Sequence, residues 1–436
     1  MGTDSQEKRI SIYPILSVNF VGALGFGIVL PFLVFLVTRL GGNALIYGIM
    51  GATYSFFQLI GAPILGRMSD RIGRKRVLLL SQLGTLASWG IFLIALTIPV
   101  TALIEVDSPV IGAFTVTVPL VVLFLARALD GITGGNVSVA NAYLADITEE
   151  SERSENFGKM AISGNLGFIL GPAIAGALGA TAWGEVPPVV TAFLISLIAT
   201  ALIAFGLPDS DLCVLKRRPA RTDVRTVLGQ DRKECYTLEG ASDLTFREIV
   251  GLPSIPVLLI LYFLVFLAFN FFYISFPVHA AIGLDWSLSE VGLFFSVMGV
   301  LMVLVQGPVL KRMAAVWSER TLIAGGSLAL AVSFLFFMSE DTTYIYAGTV
   351  LLACGNGLMW PSLTAVISKA TDPRHQGAVQ GLASSVGAVA SIVGLLAGGL
   401  LYGVLGSRVF VLSFAITLLA VVISFSVRTQ EADLLS

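Results

Sequence analysis

Long apolar runs recur along the chain and constrain its fold more than any other feature. A helix needs about 20 mostly apolar residues to cross the roughly 30 Å hydrocarbon layer of a bilayer. The sequence supplies such runs repeatedly, separated by short charged or Gly/Pro-rich stretches. The composition agrees, because 56% of the 436 residues are hydrophobic and only 12% are charged, about half the charged share of a soluble domain. The chain is therefore predicted to be a polytopic membrane protein.

The apolar runs predict twelve transmembrane helices, six in each half of the chain. Barrel strands are not expected, because they alternate polar with apolar residues and these runs do not. The predicted spans are 12–38, 44–66, 77–98, 119–145, 158–180 and 187–207, then 254–280, 287–307, 321–338, 344–368, 376–403 and 407–427. The predicted fold class is an all-α polytopic membrane protein with two pseudo-symmetric six-helix halves.

The two halves resemble each other in sequence. At one constant offset, Gly134 matches Gly357 and Gly158 matches Gly381, and further glycines of spans 5 and 11 keep the same register. Repeats of six spans have the same orientation, so an axis along the membrane normal relates them. The chain divides into an N-terminal half, a polar linker and a C-terminal half, at 1–207, 208–252 and 253–436.

The positive charges predict the orientation in the membrane. Of the 26 Lys and Arg, all but Arg39, Arg127 and Arg408 fall on the side that carries both termini and the linker. Lys and Arg resist translocation, so this side is predicted to be cytoplasmic and the membrane to be the cytoplasmic (inner) one. The basic run of the linker is typical of a solvated loop, and binding of anionic lipid is the alternative.

The turn after span 2 combines glycines, one acid and a dense group of cations. Its residues are Gly66, Asp70, Arg71, Gly73, Arg74 and Lys75. A positive-inside loop explains the cations but not the glycines or the acid. The pattern resembles the G-x-x-x-D-[RK]-x-G-R-[RK] signature of the major facilitator superfamily. The resemblance implies a cytoplasmic clasp between the halves, with Asp70 facing the positive N-terminal end of span 11.

Span 4 places Arg127 and Asp130 near the middle of the membrane. An unpaired charge there costs about 2.5 to 3.5 kcal/mol, so such residues are functional by default. Positions three apart share a helix face, which predicts an ion pair. A purely structural strut is the alternative. Arg127, with Gly131 four residues later, resembles the span-4 motif of proton-coupled antiporters, which implies a part in proton transfer; Asp130 departs from that motif.

Span 5 carries small residues at three- and four-residue spacing, which let helices approach closely. The core of this stripe is Gly167, Gly171, Pro172 and Gly176. The G-P-x-x-x-G pattern resembles the span-5 signature of the drug:proton antiporter branch, which implies export. Simple helix packing is the alternative.

The segment 142–148 and the start of span 11 resemble tetracycline efflux proteins, and the resemblance covers nearly the whole chain. Those proteins carry acids inside spans 1 and 3, where this sequence has Gly22 and Ser88. Asp130 is the one acid predicted to lie deep in a span, so we expect it to exchange the proton. The difference also argues against tetracycline as the substrate.

The substrate cavity is expected near mid-membrane between the halves. Polar or aromatic candidates for its lining are Asn19, Tyr54, Gln58, Asn136, Asn165, Asn270, Tyr273, Asn356, Trp360 and Gln380. Each could instead form a hydrogen bond between helices. With one acid and many Phe, the cavity is expected to suit a lipophilic, neutral or anionic compound.

These features predict a secondary active transporter that exports a small compound in exchange for protons by alternating access. The alternatives are a uniporter or symporter of a metabolite or lysolipid, and a receptor or scaffold that has lost transport. An enzyme is not expected, because the sequence has no P-loop and no evident nucleophile–base pair. We expect a monomer whose partners are substrate, protons and lipid, without nucleic acid, cofactor or metal.

Overall fold

A computed structural model describes residues 11–134, 136–148, 152–208, 248, 251–252, 254–370 and 376–426, apart from the side chains at 30, 70, 136–138, 153–154 and 376–378. The linker predicted at 208–252 lies almost entirely outside the described residues.

The described part of the first half contains six membrane-spanning segments, which we number spans 1 to 6. They are Tyr13–Arg39, Ala44–Ile72, Arg74–Thr97, the broken pair Val118–Thr133 and Asn136–Ile147, Arg153–Gly179, and Val186–Ala201. A π-helical turn, Leu202–Gly206, extends span 6. Span 1 bends by 41° beside Pro31, which cannot donate a backbone hydrogen bond.

The described part of the second half contains spans 7 to 12. They are Ile255–Val278, Leu288–Leu304, Glu319–Phe336, Thr342–Lys369, Gln376–Leu405 and Val409–Ser424. The π-helical turns His279–Gly283 and Val305–Val309 extend spans 7 and 8, and the short helix Leu310–Ala314 ends span 8.

Helix length and hydropathy agree with twelve crossings. Nine described helices are long and apolar enough to cross a membrane, and the bent span 1 makes ten. One of the nine stretches, Val379–Ser424, contains two helices, spans 11 and 12, joined by a short turn. Span 4 is divided near Gly134 into two helices that each fall short of the required length. The prediction of an all-helical bundle of twelve spans is confirmed.

A β-hairpin between spans 3 and 4 was not predicted. Strands β1 (Ala102–Val106) and β2 (Phe114–Thr117) pair antiparallel. The hairpin is joined to the loop between spans 1 and 2, since Thr115 N donates to Gly41 O at 2.8 Å and Asn43 Nδ2 donates to Ile111 O at 2.9 Å. It lies outside the spans, where water can satisfy its free edge.

The two halves meet on the face opposite the linker. Spans 2 and 11 cross where a Cβ on Gly48 would lie 3.1 Å from Cα of Gly399. Spans 5 and 8 cross where a Cβ on Gly292 would lie 2.6 Å from Cα of Gly176. We call these two crossings the opposite-face gate. One apolar core joins the halves there, because residues of spans 7, 8 and 11 pack among those of spans 1 to 6.

The halves separate toward the linker face. The apolar core at that end of the first half, which includes Ile15, Leu65 and Leu207, contains residues of the first half alone among those described. Near the linker ends of spans 2 and 11, a Cβ added to Gly66 or Gly381 would meet no described atom within 4 Å. In the part of the chain that the structure describes, the bundle is therefore closed at the opposite-face gate and open toward the linker.

Candidate functional site

A charged pair lies inside the bundle on span 4. Nη1 of Arg127 is 3.3 Å from Oδ2 of Asp130, and both residues are at least nine-tenths buried. Thr85 of span 3 lines the cavity together with Asp130. Nε of Arg127 is buried and has no hydrogen-bond partner among the described residues. The pair predicted from the i, i+3 spacing thus forms, but a single long contact leaves part of the guanidinium unsatisfied.

Aromatic rings and amides surround the pair. The guanidinium carbon of Arg127 lies 4.4 Å from the ring centroid of Tyr54, a cation–π distance. The Tyr54 hydroxyl accepts from Nε2 of Gln58 at 3.2 Å, and its ring lies 5.5 Å from that of Phe26. Tyr54 is held against span 4 because Gly131 has no side chain at their contact, where its Cβ would lie 2.5 Å from the Tyr54 carbonyl oxygen.

The pair faces a cavity of about 600 Å³ between the halves. All six spans of the first half contribute to its lining, and spans 7 and 11 contribute from the second half. A volume of this size is typical of small-molecule sites. Five of the ten predicted lining residues are there: Asn19, Tyr54, Gln58, Asn270 and Tyr273.

The other predicted lining residues lie outside the lining of this cavity or outside the description. Asn165 is exposed on span 5, while Asn356 donates weakly to Sδ of Met302 at 3.8 Å. Trp360 packs 4.7 Å from Phe266, ring to ring, and Gln380 donates to a carbonyl oxygen of span 10 at 3.4 Å. The Asn136 side chain is not among those described. Asn356 and Trp360 both belong to span 10, and neither span 10 nor span 8 contributes a residue to the described lining.

Sequence reasoning missed several lining residues. Tyr47, Gln82, Thr85, Trp89 and Ser391 all line the cavity. Tyr47 and Tyr273 both lie within electrostatic reach of Arg127, from different halves. Helical spacing is the available signal for Tyr47, since it lies seven residues before Tyr54 and hence on the same helix face.

The two positions where tetracycline exporters were expected to differ have distinct surroundings. Gly22 lines the cavity, and a Cβ there would meet nothing within 4 Å. Ser88 is buried against span 4, where its hydroxyl donates to Ala126 O at 2.9 Å. An acid at position 22 would thus enter open cavity, whereas an acid at 88 would need to rearrange the contact between spans 3 and 4.

The predicted clasp is described in part. Gly73 adopts φ +104° and permits the sharp turn between spans 2 and 3. Arg74 is buried and binds within its own half, with Nε 2.8 Å from Oδ2 of Asp146 and Nη1 2.6 Å from Oγ of Ser69. Arg71 is exposed, and the Asp70 side chain lies outside the description. A bridge from this turn to span 11 therefore stays a prediction.

The small residues of span 5 contact two neighbours. Gly167 and Gly171 face span 1, where a Cβ on Gly171 would lie 2.7 Å from Cα of Gly27. One turn further, Gly176 is part of the opposite-face gate, and its carbonyl accepts from Oγ of Ser289 at 2.9 Å. The helix continues through Pro172 without a break. The small residues of span 5 thus contact span 1 within the first half and span 8 of the second half.

Comparison with known proteins identifies the family. The model of the Major Facilitator Superfamily matches residues 15–315 and 258–434, which together cover nearly the whole chain. The chain belongs to the Major Facilitator Superfamily. This family consists of membrane transporters, so the chain is classified as a membrane transporter.

Relatives within the superfamily include efflux proteins. The class B tetracycline resistance protein of Escherichia coli is 29% identical over 392 residues, covering 89% of this chain and 87% of that protein. Human solute carrier family 67 member A1 is 26% identical and covers 86% of this chain and 82% of its own length. These similarities confirm the resemblance to tetracycline efflux proteins across most of the sequence.

Solved structures of superfamily members share the architecture. The human organic anion transporter TETRAN has a TM-score of 0.67 with 20% identity, over 97% of this chain and all of that one. A D-xylose–proton symporter reaches 0.73 with 14% identity, over 96% and 98% of the two chains. At these identities the likeness establishes the fold alone.

Proposed function

We propose that the protein exports a small lipophilic or anionic compound in exchange for protons, by alternating access. The observation that carries the proposal is the Arg127–Asp130 pair, which lies buried in a cavity between the halves. A carboxylate in this position can gain or lose a proton inside the membrane. The bundle is closed at one face and open at the other, as one state of an alternating-access cycle requires.

The direction of transport is argued from relatives and charge. Several relatives are named tetracycline resistance proteins, which supports export. The Lys and Arg distribution favours a cytoplasmic position for the linker face and both termini. With that orientation, the described state opens inward and is ready to accept a compound from the cytoplasm of a cell whose inner membrane holds the protein.

Asp130 is proposed as the proton carrier and Arg127 as its charge partner. When Asp130 is ionised, it pairs with Arg127 and the two charges cancel. When Asp130 is protonated, the ion pair is lost and the buried Arg127 is left with an uncompensated charge, which is costly. The cost is relieved by a rearrangement around Arg127, which packs on Tyr54 of span 2 and shares the cavity with Tyr273 of span 7. Protonation thereby biases the relative position of the halves.

The aromatic residues and the arginine in the lining support the predicted class of substrate. Its aromatic lining suits a lipophilic compound, and its arginine suits an acceptor or an anion. One similar structure is that of a protein described as an organic anion transporter. Tetracycline itself is not proposed, because the acids expected for it in spans 1 and 3 are replaced by Gly22 and Ser88.

Flux measurements in proteoliposomes test the proposal. A thermal-stabilisation screen in detergent first selects a compound, and an imposed pH gradient then drives its transport. Asp130→Asn should abolish the response to the gradient while exchange of labelled for unlabelled compound continues. Glu185→Gln is the matched control, since it removes one carboxylate from an ion pair with Arg39 at the opposite face.

Three outcomes would contradict the proposal. Unchanged proton coupling in Asp130→Asn excludes Asp130 as the carrier. Accumulation of the compound in the same direction as protons indicates a symporter. Absence of exchange for every stabilising compound indicates a receptor or scaffold.

A further inference from the structure

The described lining of the cavity contains one cation, Arg127, and one carboxylate, Asp130. All other described lining residues are apolar, aromatic, amide or hydroxyl side chains. When both groups are ionised, the cavity carries no net charge. A ligand with a net charge would therefore leave one charge uncompensated inside the bundle, and this is unfavourable.

The hydrogen-bond donors that line the cavity differ in whether they already bind acceptors of the protein. The side-chain NH2 groups of Asn19, Gln58, Gln82 and Asn270 all donate to carbonyl or hydroxyl oxygens of the protein. Arg127, in contrast, has a buried Nε without a partner among the described residues and a single 3.3 Å contact to Asp130. Nε itself is closed off, but the guanidinium lines the cavity, so an acceptor on a ligand can bind an Nη N–H beside the long contact with Asp130.

The apolar part of the lining lies beside this polar group. The ring of Phe26 lies between two others, with its centroid 5.5 Å from that of Tyr54 and 5.6 Å from that of Phe168. From the second half, Phe266 and Phe269 line the same cavity. Aromatic rings offer flat apolar faces that pack well against another planar group.

We infer that the substrate is an uncharged amphipathic molecule whose polar end carries an acceptor for Arg127 and a donor for Asp130, with a flat apolar body against the aromatic lining. The inference rests on the proposed function and narrows its substrate class. A donor on the ligand stabilises the ionised form of Asp130, so ligand and proton exclude each other, as exchange requires. An anion at Arg127 would instead favour protonated Asp130 and travel with the proton.

Three probes with one ring system and different charge test the inference by equilibrium binding to the purified full-length protein. They are 2-naphthamide, 2-naphthoate and 2-naphthylmethylammonium, and binding is followed by quenching of tryptophan fluorescence, since Trp89 lines the cavity. We expect 2-naphthamide to bind about tenfold more tightly than either ion, the factor that corresponds to one hydrogen bond with a charged group.

Variants of the pair should reverse this preference. Asp130→Asn leaves Arg127 uncompensated, so 2-naphthoate should become the tightest ligand. Arg127→Gln leaves Asp130 uncompensated, so 2-naphthylmethylammonium should become the tightest. The double variant keeps a neutral cavity and should show no preference for either ion. Glu185→Gln, which removes a carboxylate outside the cavity, should behave as the wild type.

The wild-type ranking tests the inference even if a variant fails to fold. Tightest binding of 2-naphthoate, strengthening as the pH falls, overturns the inference in favour of an anion bound with a proton. Tightest binding of the ammonium probe, or equal binding of all three that survives in the variants, also overturns it. If the predicted ranking holds but flux ignores the pH gradient, the proposed function fails and the inference on substrate class stands. If a pH gradient drives export of a charged compound, the inference on substrate class fails and proton-coupled export stands.

Discussion

The guanidinium carbon of Arg127 in span 4 lies 4.4 Å from the ring centroid of Tyr54 in span 2. The contact offsets part of the cost of holding a cation inside the membrane, by about 1 to 2 kcal/mol for a desolvated pair. Tyr54→Leu should therefore lower both thermal stability and ligand affinity. Tyr54→Phe keeps the ring and loses only the hydroxyl bound by Gln58. Its thermal stability and ligand affinity should therefore be much closer to those of the wild type. Equal losses in the two variants, measured by thermal unfolding in detergent, would show that the ring face contributes little.

The crossing of spans 2 and 11 should tolerate no larger residue in the described state. Gly399→Leu places a side chain against Gly48 and should push the opposite-face gate open. Distances between spin labels on the outer ends of spans 2 and 11 should lengthen, and those across the linker face should shorten. Gly403→Leu, one turn further along span 11, meets nothing within 4 Å and serves as the control. A Gly399→Leu distance distribution identical to that of Gly403→Leu would falsify the gate assignment.

The ion pair between Arg74 and Asp146 should contribute strongly to stability, because Arg74 is buried. Removing Asp146 takes one charged partner away from the buried Arg74 guanidinium, and losing one side of a buried pair typically costs about 3 kcal/mol. Asp146→Ala should lower the free energy of unfolding in mixed micelles by roughly this amount. Glu155→Ala breaks the solvent-exposed pair with Lys159 and should have little effect. Similar losses for the two variants would contradict a special role for the buried pair.

Asn43 links the start of span 2 to the hairpin. Its Oδ1 accepts from Ile46 N as an N-cap, and its Nδ2 donates to Ile111 O. Asn43→Ala removes these bonds and a longer one from Nδ2 to Ala113 O at 3.4 Å, and it should cost about 1 to 2 kcal/mol of stability. Asn43→Asp keeps the cap and loses the donor, so it should cost less. Hydrogen exchange at the hairpin amides separates the two effects, since both variants should raise it, whereas only Asn43→Ala should raise exchange in the first turn of span 2.

Much of the fold could be predicted from the sequence because membrane spans depend on local composition. Apolar run length predicts where a helix crosses the bilayer whatever its neighbours are. The i, i+3 pair in span 4 was equally local and was found in the structure. The hairpin was missed because its strands are short and lie in a loop that hydropathy treats as a connection.

The lining of the cavity was harder to predict, because it depends on how far the halves have rotated. Asn19 and Asn270 face the cavity in the described state, whereas Asn356 on span 10 does not. Sequence alone cannot say which face of a helix meets its partner in a given state. Gln82 was missed for a related reason, since an amide bonded to Ser196 of span 6 looks the same in sequence as a packing residue.

The charged pair and two of the aromatic residues that line the cavity belong to different helices. Arg127 and Asp130 are part of span 4 in the first half. Phe266 and Phe269 are part of span 7 in the second half. Under the proposed function, substitutions at Phe266 or Phe269 would change which compound is recognised without altering the Arg127–Asp130 pair. Under the same proposal, such a separation would let related proteins bind different compounds and keep the same coupling group.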